Sequence, residues 1–131
     1  MERHRIISYI AILQMITAIG LIAFWIAFFG CDMTPNHPPP CYFAYEHAFP
    51  IPDIILSIFM MIASICLINK KPSGIPLSIA TAGALFFLGI LDTCFNYQNG
   101  IYASSFVDMI GNGFINVWCI FFGTLVIKTL S

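Results

Sequence analysis

Carboxylate and amide side chains lie in or beside long apolar segments of this 131-residue chain. Asp92 and Asn96 are four residues apart, so one face of a helix would carry both. Asp108 and Asn112 repeat that spacing further along the chain. An ionisable group inside a membrane-spanning segment is costly and by default marks a functional site. Because oxygen-rich sites suit a hard cation or a small cationic or hydroxylated ligand, these four residues are the first candidates for ligand binding.

Asp92 is the strongest candidate among them. It lies near the C-terminus of the third apolar segment, where the helix dipole is negative and disfavours a carboxylate. It also lies about one turn inside the apolar boundary, so desolvation adds to the cost of its charge. Gly89, three residues earlier on the same face, would let another helix or a ligand approach. We therefore expect Asp92 to be stabilised by a cation, by donors such as Asn96 or Asn112, or by both.

Two other carboxylates have a simpler explanation beside the functional one. Asp53 follows Pro50 and Pro52 at the start of the second apolar segment, where a negative charge interacts favourably with the helix dipole. Asp108 follows Ser105 in a Ser-x-x-Asp arrangement close to a capping box. For both residues, helix capping and ligand binding remain open alternatives.

Glu46 and His47 are adjacent in the loop before the second apolar segment. They could be metal ligands, a proton shuttle or ordinary polar residues at the membrane surface. Trp25 is expected to be an interfacial anchor. The sequence does not identify a cofactor; a hard divalent cation would be the most suitable metal, with Asp92 and Asp108 as its ligands.

Gln14 and Asn116 are amides inside the first and fourth apolar segments. Buried amides in a bilayer need hydrogen-bond partners, because each unsatisfied group costs several kcal/mol. The two are predicted to lie at a comparable depth and could pair with each other. The simpler role for such a pair is to hold packed helices together.

Cys31 and Cys41 both lie in the loop between the first two apolar segments. If that loop faces an oxidising compartment, a disulfide between them is expected and would hold the loop over the bundle as a lid. The alternative is a redox-active pair, but such pairs usually have a Cys-x-x-Cys spacing, which this chain lacks.

The elements that must position these residues are four apolar segments, each near the roughly 20 residues that cross a bilayer. The predicted spans are residues 6–29, 51–68, 75–95 and 106–127; the outer loops are 30–50 and 96–105, and the inner loop is 69–74. The first outer loop is rich in proline and is expected to be extended. The sequence therefore predicts an all-α integral membrane protein, a four-transmembrane-helix antiparallel bundle that forms a single membrane domain over residues 1–131.

The basic residues predict the orientation of this bundle. All five lie before the first segment, between the second and third, or after the fourth. They are Arg3, Arg5, Lys70, Lys71 and Lys128. Short loops that carry Lys and Arg stay in the cytoplasm. Both termini are therefore expected to be cytoplasmic, with the protein in the plasma (inner) membrane.

The expected function is binding or permeation of a cation or a small cationic or polar ligand in an outward-facing pocket of carboxylates and amides. A homo-oligomer is expected, because one small bundle has little room for a lumen. Two alternatives remain open: a membrane-embedded enzyme acting on a lipid or isoprenoid at the outer leaflet, and a structural or accessory subunit. The lipid bilayer is the expected surrounding, and no nucleic-acid partner is expected.

Overall fold

Four long helices and one short helix make up the protein. The computed structural model describes residues 2–30, 38–103 and 105–131, while the side chains of Glu2, Tyr45, Glu46 and Asp108 lie outside the description. The helices are α1 (Glu2–Gly30), α2 (Tyr42–Glu46), α3 (Pro50–Ile68), α4 (Gly74–Gln98) and α5 (Phe106–Leu130). In these ranges there is no β-strand, and the four long helices are each long and apolar enough to cross a membrane. This confirms the prediction of an all-α protein with four helices able to span a bilayer.

The helices begin and end close to the predicted spans but are longer at several ends. Helix α3 begins one residue before the predicted span 51–68. Helix α4 continues three residues past the predicted end at residue 95. Hydropathy marks only the part of a helix that suits hydrocarbon. Backbone hydrogen bonding continues beyond it, through the polar residues Asn96 to Gln98 in α4.

Helix α2 is a difference from the predicted extended loop. The backbone N–H of Tyr42 donates to the carbonyl of Pro39 at 3.0 Å, and that of His47 donates to the carbonyl of Phe43 at 2.9 Å. Proline is tolerated just before a helix because its missing donor is not needed there. Tyr42 is only 4% exposed, so burial of its ring favours a helical turn at this point.

The end of α3 has the hydrogen bonds of a Schellman motif. The backbone N–H of Lys71 donates to the carbonyl of Cys66 at 2.8 Å, and that of Lys70 to the carbonyl of Leu67 at 3.2 Å. Lys70 has φ = 56°, the left-handed conformation for which this motif usually uses glycine. The turn between α3 and α4 is therefore sharply defined but contains one strained residue.

The end of α4 has the same type of closure with the usual glycine. Gly100 has φ = 71°, and the backbone N–H of Ile101 donates to the carbonyl of Asn96 at 2.9 Å. Ile101 is 2% exposed, as expected for the apolar contact that accompanies this motif. Turn formation therefore explains the Asn-Gly pair at positions 99 and 100.

The long helices pack in the order α1, α3, α4, α5, with contacts between successive members of that series. Among the described residues, α1 and α5 make few direct contacts. The main core includes Leu56, Met60, Leu85, Phe122 and Val126, each at most 7% exposed. A second cluster lies at the end of the bundle that carries α2, which we call the α2 end. This aromatic cap consists of Trp25, Phe28, Tyr42 and Ile101, with Phe24, Phe49 and Phe95 packed against them.

Helices α4 and α5 approach closely at two glycines. A Cβ atom on Gly89 would lie 2.9 Å from Cγ1 of Ile120 and 3.0 Å from Cβ of Cys119. A Cβ atom on Gly123 would lie 2.7 Å from the carbonyl oxygen of Ala82. Gly89 thus lets a neighbouring helix approach, as its position near Asp92 predicts, and that helix is α5.

Candidate functional site

A small cavity of about 50 Å³ lies among the long helices, below the aromatic cap. Its polar lining comes from three helices: Asp53 from α3, Asp92 from α4, and Asn112 and Asn116 from α5. One buried water needs about 10–15 Å³ on this scale. The cavity therefore has room for a few waters, a small cation or one small head group.

The structure brings three of the sequence-predicted candidates to this cavity: Asp53, Asp92 and Asn112. It adds Asn116, for which the sequence favoured a purely structural role. The stripe along α5 accounts for the last two residues, because a spacing of four places Asn112 and Asn116 on one face. Asp53 and Asp92 come to the same cavity because α3 and α4 pack against each other, and helical spacing within one segment does not predict that packing.

Asp53 is 7% exposed, and its Oδ2 accepts a hydrogen bond from Nε1 of Trp25 at 2.7 Å. Trp25 is 5% exposed, so it is a buried partner of the carboxylate and not the interfacial anchor that the sequence suggested. The sequence could have indicated this pair through the similar depth of the two residues in their helices. Trp25 is five residues from the end of α1 and Asp53 is three residues from the start of α3.

Asn96 supports Asp92 from the next turn of α4. Its Nδ2 donates to Oδ2 of Asp92 at 3.2 Å, which agrees with the predicted spacing on one face. Asn96 is 1% exposed, and its Oδ1 has no hydrogen-bond partner among the described residues. A buried acceptor left unsatisfied costs about 1–3 kcal/mol. The neighbourhood of Asp92 therefore has unused capacity to accept a hydrogen bond.

The predicted pairing of Gln14 with Asn116 is wrong. Oε1 of Gln14 accepts a hydrogen bond from Oγ of Ser78 at 3.2 Å, and Nδ2 of Asn116 donates to the hydroxyl of Tyr102. Counted from the α2 end, Gln14 is sixteen residues deep in α1 and Asn116 ten residues deep in α5. At about 1.5 Å per residue, six residues separate their depths by about 9 Å.

The candidates in and beside the loops have different outcomes. The side chains of Glu46 and Asp108 lie outside the described residues. His47 is exposed, and its ring centroid lies 5.7 Å from that of Phe29 and 6.0 Å from that of Phe43. It is not part of the cavity lining.

Coordination of a metal ion has less support than hydrogen bonding of a ligand to the oxygen atoms of the cavity. Within the described part of the chain, no group of three or more His, Cys, Asp or Glu residues is placed to hold a metal ion. The cavity offers two carboxylates, from Asp53 and Asp92, together with neutral amides. Such a lining can accept hydrogen bonds from a cation as well as coordinate one.

The predicted disulfide falls partly outside the described residues, because Cys31 belongs to the range 31–37. Cys41 is exposed, and its Sγ lies 3.7 Å from Oδ1 of Asn99 at the end of α4. The described cysteines are Cys41, Cys66, Cys94 and Cys119, and none of these four is bonded to another. The loop and α4 are thus in contact at Cys41.

Three aromatic side chains complete the cavity and were not among the predicted site residues. Phe24, Trp25 and Phe49 line the cavity and also belong to the aromatic cap, which covers the cavity at the α2 end. Aromatic faces attract cations, with about 0.5–1 kcal/mol at exposed sites and about 2 or more when the cation is desolvated. The cavity thus combines two carboxylates with three aromatic side chains.

No protein-family model, curated protein or solved structure matches this chain. Its function must therefore be inferred from the chemistry of the cavity. Carboxylates, amides and aromatic rings around a space of about 50 Å³ are the features available for that inference.

Proposed function

We propose that this protein binds an organic ammonium group in the cavity between Asp53 and Asp92. The observation that carries this proposal is the lining itself, in which two carboxylates face the same small space as three aromatic side chains. Carboxylates attract any cation, whereas aromatic faces select for organic ammonium ions. The volume suits a head group and not a large ligand as a whole.

Electrostatics inside the cavity favours a bound cation. Asp53 and Asp92 line the same small cavity, where two ionised carboxylates would repel each other. A positive charge between them would relieve that repulsion. An ammonium group also donates hydrogen bonds, and Asn112 and Asn116 place amide groups in the lining of the cavity. Binding is better supported than permeation, because large side chains such as Met60 and Phe122 are fully buried in the core.

We also propose that the helices cross the plasma membrane in alternating directions, with the α2 end outside and both termini in the cytoplasm. The turn that carries Lys70 and Lys71 joins α3 directly to α4, and those two helices pack together. Arg3, Arg5 and Lys128 lie at the corresponding ends of α1 and α5. Short basic segments of this kind stay in the cytoplasm, so the cavity would lie at the depth of the outer leaflet. It is formed within one chain, so the predicted homo-oligomer is not needed for binding.

We further propose that a disulfide between Cys31 and Cys41 fixes the first outer loop above the aromatic cap. Cys41 lies near the middle of that loop, with its Sγ 3.7 Å from Oδ1 of Asn99, so a bond to Cys31 would tie the loop close to the end of α4. Alkylation of the protein with and without reductant, followed by mass spectrometry, tests the bond. Two additional alkylated thiols only after reduction are expected. Two additional free thiols without reductant would exclude the bridge.

The binding proposal can be tested with protein in lipid nanodiscs and a panel of cations. The panel contains Na⁺, K⁺, Mg²⁺, Ca²⁺, ethylamine and tetramethylammonium, and the readout is the shift in Tm. A ligand at a hundred times its Kd stabilises the folded protein by about 2.7 kcal/mol. We expect stabilisation by at least one of the two organic cations, and its loss in Asp92→Asn and in Asp53→Asn. Glu2→Gln is the matched control, because it removes one charge at the other end of the bundle and should leave binding unchanged.

The double variant sharpens this test. If Asp53 and Asp92 act on one bound cation, combining Asp53→Asn with Asp92→Asn should cause little further loss, because contacts to a shared species are not additive. Circular dichroism should show unchanged helix content in each variant. The proposal is wrong if neither organic cation stabilises the wild type, if only Mg²⁺ or Ca²⁺ does, or if Asp92→Asn binds the amine unchanged.

A further inference from the structure

An apolar groove of about 380 Å³ lies between α1 and α5, where the two helices make few contacts. Gly20 of α1 lies in its wall, and a Cβ atom there would meet no other atom within 4 Å. The main polar groups in the groove satisfy each other, since Nε1 of Trp118 donates to Oγ1 of Thr17 at 3.0 Å. The groove is therefore suited to an apolar chain.

This groove adjoins the carboxylate cavity. Leu21 and Phe24 of α1, with Ile115 and Cys119 of α5, line both spaces. The groove between α3 and α4 is larger, at about 640 Å³, but shares only Leu88 with the described lining of the cavity. Of these two grooves, the one between α1 and α5 thus has the closer connection to the carboxylates.

Access from the α2 end is less open than access from the side. The aromatic cap covers the cavity at that end, and its members Trp25, Phe28 and Tyr42 are each at most 6% exposed. The groove, by contrast, opens on the surface that faces lipid in a helix bundle of this type. A ligand that enters from the bilayer would meet the groove before the carboxylates.

The groove also runs in the direction that such a ligand requires. Along α1 it extends from Leu13 to Phe24, eleven residues or about 17 Å at about 1.5 Å per residue. Phe24 is at the cavity, and Leu13 is near the middle of the helix. An amphiphile of the outer leaflet has this arrangement, with its head group near the surface and its chain directed inward.

We propose that the ligand is a single-chain amphiphilic amine, with its ammonium group between Asp53 and Asp92 and its alkyl chain in the groove between α1 and α5. This inference rests on the proposed function, because it assigns the ammonium group to the same cavity. Charge complementarity selects the head group, and the shared wall formed by Phe24 and Cys119 connects it to the chain.

Paired amines and paired glycine variants test the position of the chain. Ethylamine carries the head group alone, and dodecylamine adds the chain; both are titrated into protein in nanodiscs of zwitterionic lipid. Gly20→Leu fills the groove, whereas Gly83→Leu places the same side chain on α4, away from both spaces and without close neighbours. We expect Gly20→Leu to weaken dodecylamine binding at least tenfold and to leave ethylamine binding unchanged, with no effect of Gly83→Leu.

Fluorescence provides a second measurement, because the chain contains only two tryptophans. Dodecylamine brominated near its methyl end should quench Trp118, which lines the groove. The quenching should be lost in Trp118→Phe and should require Asp92. Brominated dodecanol, which lacks the charge, should quench much less.

The outcomes separate this inference from the proposed function. If Asp92→Asn abolishes the binding of both amines but Gly20→Leu changes neither, the cation site stands and the groove assignment is overturned. If dodecanol and dodecylamine quench equally, and independently of Asp92, the groove holds only ordinary lipid chains and the inference is wrong. If neither amine stabilises the wild type, the inference is wrong, and if tetramethylammonium also has no effect, the proposed function fails as well.

Discussion

The hydrogen bond from Trp25 to Asp53 should make a measurable contribution to the stability of the bundle. It joins α1 to α3 at 2.7 Å, and its two residues are 5% and 7% exposed. Trp25→Phe removes the indole N–H while it keeps an aromatic ring in the aromatic cap. Asp53→Ala removes the acceptor, so a double-mutant cycle isolates the pair.

The expected coupling energy follows from the type of bond and its burial. Hydrogen bonds between membrane helices average about 0.6 kcal/mol and reach about 1.7 kcal/mol. Bonds to charged groups contribute about 1.5–3 kcal/mol in proteins generally. Because the distance is short, both partners are buried and the acceptor is a carboxylate, we expect a coupling of about 1.5 kcal/mol. That corresponds to roughly a tenfold change in the unfolding equilibrium.

Reversible unfolding in mixed detergent micelles, followed by circular dichroism, would measure the four members of this cycle. The chain offers a matched control in the bond between Trp118 and Thr17, which has the same donor and a neutral hydroxyl acceptor at 3.0 Å. A cycle of Trp118→Phe with Thr17→Val should give a coupling of about 0.6 kcal/mol. A coupling for Trp25 and Asp53 no larger than that of the control would refute the assignment of a charged acceptor.

Three further predictions concern orientation and packing. In a variant without native cysteines, a cysteine introduced at Ala103 should react with an impermeant thiol reagent in intact cells, and one at Ser73 should not; labelling at Ser73 from outside would reject the proposed orientation. Gly89→Ala should destabilise the protein by about 1–2 kcal/mol because its Cβ would lie 2.9 Å from Ile120. Its control, Gly111→Ala, meets nothing within 4 Å and should be neutral or slightly stabilising in thermal unfolding. Lys70→Gly should stabilise by about 1 kcal/mol, because it relieves a left-handed residue with φ = 56°; an unchanged or lower Tm would contradict that reasoning.

The parts of the fold that could be predicted are those determined by local sequence. Apolar length identified the four long helices, and a spacing of four placed Asn96 beside Asp92 on one face of α4. The same spacing placed Asn112 and Asn116 together on α5. These relations need no knowledge of how the helices pack, because helical geometry alone fixes them.

The relations that sequence reasoning missed all connect different helices. Trp25 was expected at the membrane surface. Its depth is similar to that of Asp53, but depth alone does not show that the two side chains face each other across α1 and α3. Gln14 was paired with the wrong helix, because its depth depends on how far α1 extends beyond its apolar part. Contacts between membrane helices depend on small differences in the depth and rotation of each helix. Amino-acid composition contains no information on either quantity.

The order in which the helices pack also bears on how the bundle can assemble during synthesis. Chains emerge from the ribosome N-terminus first. In the series α1, α3, α4, α5, each new long helix finds its main neighbour already made. No helix has to be inserted between two that have already associated. The groove between α1 and α5 is then the seam between the first long helix made and the last.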